Sequence, residues 1–186
     1  MKLQKMSRRT FLAALSCATG AVAIGDTVTS LSHRITPRGI IIHHSALPGE
    51  ESIATIETIH RNSGLASFYW YRCYNIGYHY IVRSSGEVIA CRPERLRGSH
   101  AKGSNDFIGI CVHGNFDSAT GSDFLEGAQL EATRKLCIML LVKYSLRVND
   151  IYKHSQVDLY TRCPGDRFPF DRLLESVRTA NHGGIQ

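Results

Sequence analysis

Pro37-Arg38-Gly39-Ile40-Ile41-Ile42-His43-His44 is the run from which the architecture can be read. Pro-Arg-Gly punctuates the chain before it. Three consecutive isoleucines then form a short, uninterrupted β-branched stretch. Such a stretch reads as a strand buried on both faces, the kind found inside a layered α/β sheet. Side chains alternate along a strand, so His43 and His44 leave its end on opposite faces, and at most one of them easily faces a site above that end.

The rest of the chain supplies layers for such a strand. Leu47-Pro48-Gly49 breaks the chain, and Ser52 is placed to cap a helix with Ile53, Ile56, Ile59 and His60 on one face, ended by Ser63-Gly64. His60 reads as a packed or capping histidine. Phe68-Tyr69-Trp70-Tyr71 is an aromatic cluster fit for a core or a groove. Asn75 to Arg83 and Glu87 to Cys91, joined by Ser84-Ser85-Gly86, predict a β-hairpin. If that strand is regular, His79 points away from Tyr78. Gly98 to Asn105 is small and polar, a loop. Phe107 to His113 is a second buried strand, residues 126–145 a long helix, Val148 to Lys153 a short strand, and Phe170 to about Thr179 a terminal helix. The predicted fold class is α/β: a single domain with a central mixed β-sheet flanked by helices. Ligand sites in such sheets gather beyond strand ends. His43 and His154 each follow a strand.

The formal charge of +6 belongs mostly to the N-terminus. Lys2, Lys5, Arg8 and Arg9 stand there with no acid among the first 23 residues; without them 18 basic and 16 acidic residues remain. No basic patch interleaved with aromatics argues for nucleic acid. Ser7-Arg8-Arg9-Thr10-Phe11-Leu12, the apolar and small residues to Ile24, and Ala21-Val22-Ala23 read as a twin-arginine export signal with its cleavage site. The apolar part is too short and too rich in small residues for a membrane span. The organisation expected is a signal at 1–23, a linker at 24–36, the domain at 37–178 and a tail at 179–186. The mature chain is expected to be an exported, periplasmic monomer without a stable membrane span, with lipid anchoring at Cys17 as the alternative.

One run near the C-terminus carries chemistry. Lys153-His154-Ser155-Gln156-Val157-Asp158-Leu159-Tyr160-Thr161-Arg162-Cys163-Pro164-Gly165 places a histidine and a cysteine nine positions apart. Both are good zinc ligands, but two ligands do not make a site. Of the six cysteines, Cys17 falls in the leader. The odd remainder suggests that at least one is outside a disulfide. Cys163 suits a metal-bound thiolate, Cys111 and Cys137 suit buried thiols, and Cys73 and Cys91 can pair.

Taken in order, these motifs resemble one family. Ile41-Ile42-His43-His44-Ser45-Ala46, Asn75-Ile76-Gly77-Tyr78-His79-Tyr80, Gly98-Ser99-His100-Ala101-Lys102-Gly103, Ile108-Gly109-Ile110 with Gly114-Asn115-Phe116-Asp117, and His154 with Thr161-Arg162-Cys163-Pro164-Gly165 are similar to the zinc-dependent N-acetylmuramoyl-L-alanine amidases of the phage T7 lysozyme and peptidoglycan-recognition-protein type. The resemblance spans roughly residues 37–178 and implies that fold. It implies one Zn²⁺ held by His43, His154 and Cys163, with Tyr78 and Thr161 as catalytic groups. His100 and Asn105 are candidates for substrate binding, and the substrate is peptidoglycan or a muropeptide. His113 reads as a strand-end histidine without a ligand role. The His-to-Cys step is usually one residue shorter in close relatives of the phage enzyme. Many members also carry a Ser-Ile-Gly that is here Phe107-Ile108-Gly109. Two other readings are a peptidoglycan-binding protein without activity and an amidase that recycles small muropeptides. The family's non-catalytic members usually lack the ligand cysteine, so Cys163 favours an enzyme.

Overall fold

Ile40–His44 is a strand, β1, and Ile40, Ile41 and Ile42 are fully buried. The computed structural model describes residues 34–48, 51–64 and 75–182. The expected signal, most of the expected linker, the aromatic cluster at 68–71 and Cys73 lie outside the described residues. After β1 come α1 (Ile53–Asn62), β2 (Tyr80–Val82), β3 (Val88–Ala90), β4 (Ile108–Val112), α2 (Gly127–Tyr144), a 3₁₀ turn (Val148–Asp150), β5 (Ile151–Lys153), α3 (His154–Val157) and α4 (Phe170–His182).

The five strands form one mixed sheet in the order β3-β2-β4-β1-β5. β1 is parallel to both neighbours, with Ile41 opposite Gly109 and Tyr152, and His43 opposite Cys111. β2 is parallel to β4, and only the edge pair β2–β3 is antiparallel. The period of two along each strand sorts the core into faces. Ile40, Ile42, Tyr80, Val82, Ile108, Ile110 and Val112 pack with Leu136, Leu140, Leu173 and Val177 of α2 and α4. On the other face Ile81 and Cys111 pack with Ile53 and Ile56 of α1, while Ile41 packs with Ala101 and Phe107. The second face is the one His43 enters.

Buried polar groups fasten the layers, because an unpaired one costs free energy. The Gln129 amide on α2 donates to the carbonyls of Val82 (3.1 Å) and His113 (2.7 Å), at the ends of β2 and β4. Glu94 accepts from the hydroxyls of Tyr80 and Tyr144 and pairs with Lys143 at 2.7 Å.

The structure departs from the sequence reading in three places. The hairpin strand begins at Tyr80, not Asn75, because Asn75 to His79 bends to put backbone groups on side chains: the Gly77 N–H donates to His60 Nδ1 at 2.9 Å. The strand expected from Val148 starts at Ile151, because the Asp150 carboxylate accepts the Arg147 N–H (2.7 Å) and closes a 3₁₀ turn first. A further helical turn, α3, follows β5 within the segment that carries His154. Among the described residues no helix is long and apolar enough to cross a membrane.

Candidate metal centre and active site

His43, His154 and Cys163 come together although they are far apart in sequence. One donor atom from each lies within 4.8 Å of the other two. His43 Nδ1 is 3.8 Å from Cys163 Sγ, and the two histidine rings are 4.3 Å apart between centroids. Ligands on one tetrahedral zinc, with metal–donor bonds of roughly 2.0–2.3 Å, stand on the order of 3.5 Å from one another. The spacing fits such an ion.

Each donor is delivered by a different device. His43 is the fourth residue of β1 and is 1% exposed. His154 opens α3, directly after β5. The nine-residue step to Cys163 is then folded back. The Asp158 N–H closes the helical turn onto the His154 carbonyl (2.9 Å), Asp158 Oδ1 accepts the Tyr160 N–H (3.0 Å), and the Ser155 N–H donates to the Cys163 carbonyl (2.9 Å). The thiol is aimed by two contacts: the His44 N–H donates to Sγ at 3.3 Å, and the Cys163 N–H donates to Thr161 Oγ1 at 3.1 Å.

The electrostatics suit a cation. Burial, then the neighbouring His100 and His154, holds the His43 imidazole well below its ordinary value, so it stays a neutral donor. Burial also lowers His154, against the pull of Asp158. Burial pushes the Cys163 thiol up to about 12, against the His44 N–H. A metal supplies the positive charge that a buried thiolate needs. His154 Nε2 is buried without a hydrogen-bond partner among the described residues, its nearest carboxylate being Asp158 at 3.9 Å. A neutral imidazole with an unspent nitrogen beside a thiol is a ligand set fit for zinc.

The other residues singled out by sequence fall in distinct places. Tyr78 is half-buried, its ring 5.0 Å from that of His43. Burial, then Cys111 and Cys163, raises its phenol well above the usual value, and the side chain packs on the cluster that contains Cys111. Thr161 is half-buried in the loop before Cys163. His100 and Asn105 both make hydrogen bonds within the protein. His100 is 8% exposed and meets His43 Nε2 through its Nδ1 at 3.0 Å. Asn105 Oδ1 accepts the N–H groups of His100 (2.8 Å) and Ala101 (2.9 Å). His44 is turned to the opposite side, where its Nδ1 accepts the Phe116 N–H at 3.3 Å. Cys111, Cys137 and Cys163 are free thiols; Cys73, the suggested partner of Cys91, lies outside the described residues. Sequence reading missed that His60 and Cys111 both touch Tyr78, His60 from α1 with rings 4.9 Å apart. Apolar periodicity on α1, with His60 in phase, was the available signal for the first.

His79 stands outside the cluster and carries a pH prediction. Its Nδ1 accepts the Gly109 N–H (2.9 Å) and its Nε2 donates to the Leu96 carbonyl (2.8 Å). Burial lowers it from 6.5 to about 4, with the Leu96 carbonyl opposing. A depressed histidine contributes stability that is fully present above its unfolded value and is lost as pH falls toward the folded one. Metal-free protein is therefore expected to lose about 3 kcal/mol through this group as pH falls from 6.5 toward 4. Urea unfolding across that window checks it: His79→Gln should show a flatter decline, and an unchanged slope would rule out His79 as the source.

A mixed sheet with helices on its faces thus carries, at the end of β1, a His₂Cys cluster able to hold a metal ion. The chain belongs to the N-acetylmuramoyl-L-alanine amidase family (Amidase_2), whose pattern it matches over residues 33–166. It is 35% identical over 115 residues to the endolysin of Enterobacteria phage T3, covering 60% of this chain and 71% of the relative. It is likewise 35% identical over 109 residues to the endolysin of Escherichia phage T7, covering 56% of this chain and 67% of the relative. Among solved structures it is similar to the N-acetylmuramoyl-L-alanine amidase LysC from Clostridium intestinale URNW, with a TM-score of 0.65 and 29% identity, covering 77% of this chain and 87% of that one. The activity is that of an N-acetylmuramoyl-L-alanine amidase, and the substrate is related to peptidoglycan.

Proposed function

We propose that the protein is a zinc hydrolase that cleaves the amide between N-acetylmuramic acid and L-alanine, with one zinc ion held by His43, His154 and Cys163. The observation that carries the reading is the convergence of three donor atoms within 4.8 Å beside the Tyr78 ring. Zinc bound there supplies Lewis acidity toward the amide carbonyl and a water of lowered pKa.

The chain's own groups do the rest. Attack on the amide turns its carbonyl oxygen into an oxyanion, and hydrogen-bond donors aimed at that atom stabilise it. Tyr78 stays protonated and serves as a donor. Its ring lies 5.0 Å from that of His43, which puts the O–H near the donor cluster. The Thr161 oxygen already accepts the Cys163 N–H, which leaves its own proton to donate. The β1 end, α3 and the returning loop hold the donors, so little need reorganise on substrate binding.

Digestion of defined muropeptides by zinc-loaded protein tests the reading. Mass spectrometry is expected to find free stem peptides with an L-alanine amino terminus, and intact muropeptides would overturn it. We further propose that the mature protein is a periplasmic monomer exported by the twin-arginine route on residues 1–23, ahead of a linker to 36, a domain at 37–178 and a tail at 179–186. Replacing Arg8 and Arg9 together by lysine should retain the protein in the cytoplasm; unaltered export in fractionated cells would refute the route.

A further inference from the structure

The His100 ring is held more tightly than packing alone requires. It lies in a slot between Gly98 and Gly109, and a Cβ on either glycine would overlap the ring. Gly109 faces Ile41 across the sheet, two residues before His43, so the slot opens directly beneath the donor cluster. Asn105 anchors the loop by accepting the His100 and Ala101 N–H groups.

Both ring nitrogens of His100 are spent. Nε2 faces the Phe107 carbonyl oxygen at 3.2 Å, and Nδ1 faces His43 Nε2 at 3.0 Å. A carbonyl only accepts, so Nε2 of His100 carries a proton. In a neutral imidazole the other nitrogen is then an acceptor. His43 must therefore place its proton on Nε2, and its Nδ1 keeps the lone pair. That Nδ1 is the atom 3.8 Å from Cys163 Sγ. With the opposite tautomer a proton would sit between His43 and the thiol, where the metal has to go.

We propose that His100 is a positioning residue: it accepts the Nε2 proton of His43 and so aims the unprotonated Nδ1 of His43 at the metal position. The inference rests on the zinc reading above and deepens it. The chain Phe107 carbonyl, His100, His43 is a relay of two imidazoles that ends on a backbone atom. Partners of this kind fix the tautomer and ring orientation of a ligand histidine, and losing one typically costs roughly 10–100-fold in metal affinity.

Two substitutions of the same branched shape separate this role from packing. His100→Asn keeps an oxygen near the Nδ1 position, and His100→Leu does not. Zinc affinity, measured by competition with a chromophoric chelator, is expected to fall about 10–100-fold in His100→Leu and to stay close to wild type in His100→Asn. The cobalt-substituted proteins should show a changed ligand-field spectrum only for leucine. Equal affinities in the two variants overturn the proposal. Where leucine prevents folding, long-range proton–nitrogen NMR of the unmutated protein, metal-free and zinc-loaded, decides. A proton on His43 Nε2 supports the proposal, and a proton on Nδ1 overturns it. A wild-type protein that takes up no zinc fails the metal reading itself, and this inference falls with it.

Discussion

Cys163→Ala protein is expected to lose tight zinc binding and, with it, all measurable turnover. The substitution removes the one anionic donor of the cluster and leaves two neutral imidazoles. The loss should exceed the ~10–100-fold typical when only a hydrogen-bonded neighbour of a ligand is removed. The substitution also strands the His44 N–H, which now donates to Sγ at 3.3 Å. An unpaired buried donor costs about 1–3 kcal/mol, so the variant should melt earlier yet still fold. Elemental analysis after dialysis against a weak chelator checks the first effect and a thermal melt the second. Full metal occupancy in the variant would refute the assignment of Cys163.

Tyr78→Phe should give the opposite pattern: zinc occupancy unchanged, and kcat down by about 10²–10³. Phenylalanine keeps the ring between His43 and His60, at 5.0 and 4.9 Å, so the pocket wall survives. What disappears is the O–H that burial keeps protonated. If that O–H donates to the oxyanion, the defect lies in kcat rather than in KM, because the bond strengthens only in the transition state. Turnover near wild type would reduce Tyr78 to a packing residue.

These two variants test different layers of the site, and the sequence disclosed those layers unequally. The strand at 40–44 was legible because three adjacent β-branched residues bury only in a covered sheet, and the long helix at 127–144 because its length leaves no other element. Alternation alone separated His43 from His44, and the structure puts one in the donor cluster and the other on Phe116. The contacts of His60 and Cys111 with Tyr78, and of His100 with His43, were not legible. Each depends on which element lies across the sheet face, and no local periodicity encodes that. The hairpin boundary failed for a related reason: Asn75 to His79 alternates like a strand, but the Asn75 and Gly77 N–H groups donate to Glu57 and His60 side chains, and the Gly77 carbonyl accepts the Ser99 N–H.

By itself, then, the sequence determined the strand that anchors the sheet, the opposite directions of His43 and His44, and the residue types from which a metal site is made. Those features follow from local sterics and from the period of two, which act within a few residues. Only the tertiary structure decided how the nine residues from His154 to Cys163 close on one metal position. It also decided that His100 lies against His43. The first depends on one helical turn and the Ser155–Cys163 hydrogen bond, the second on a slot formed by Gly98 and Gly109. Both are contacts between segments that meet only after the sheet has paired, and pairing of that kind is a property of the whole chain.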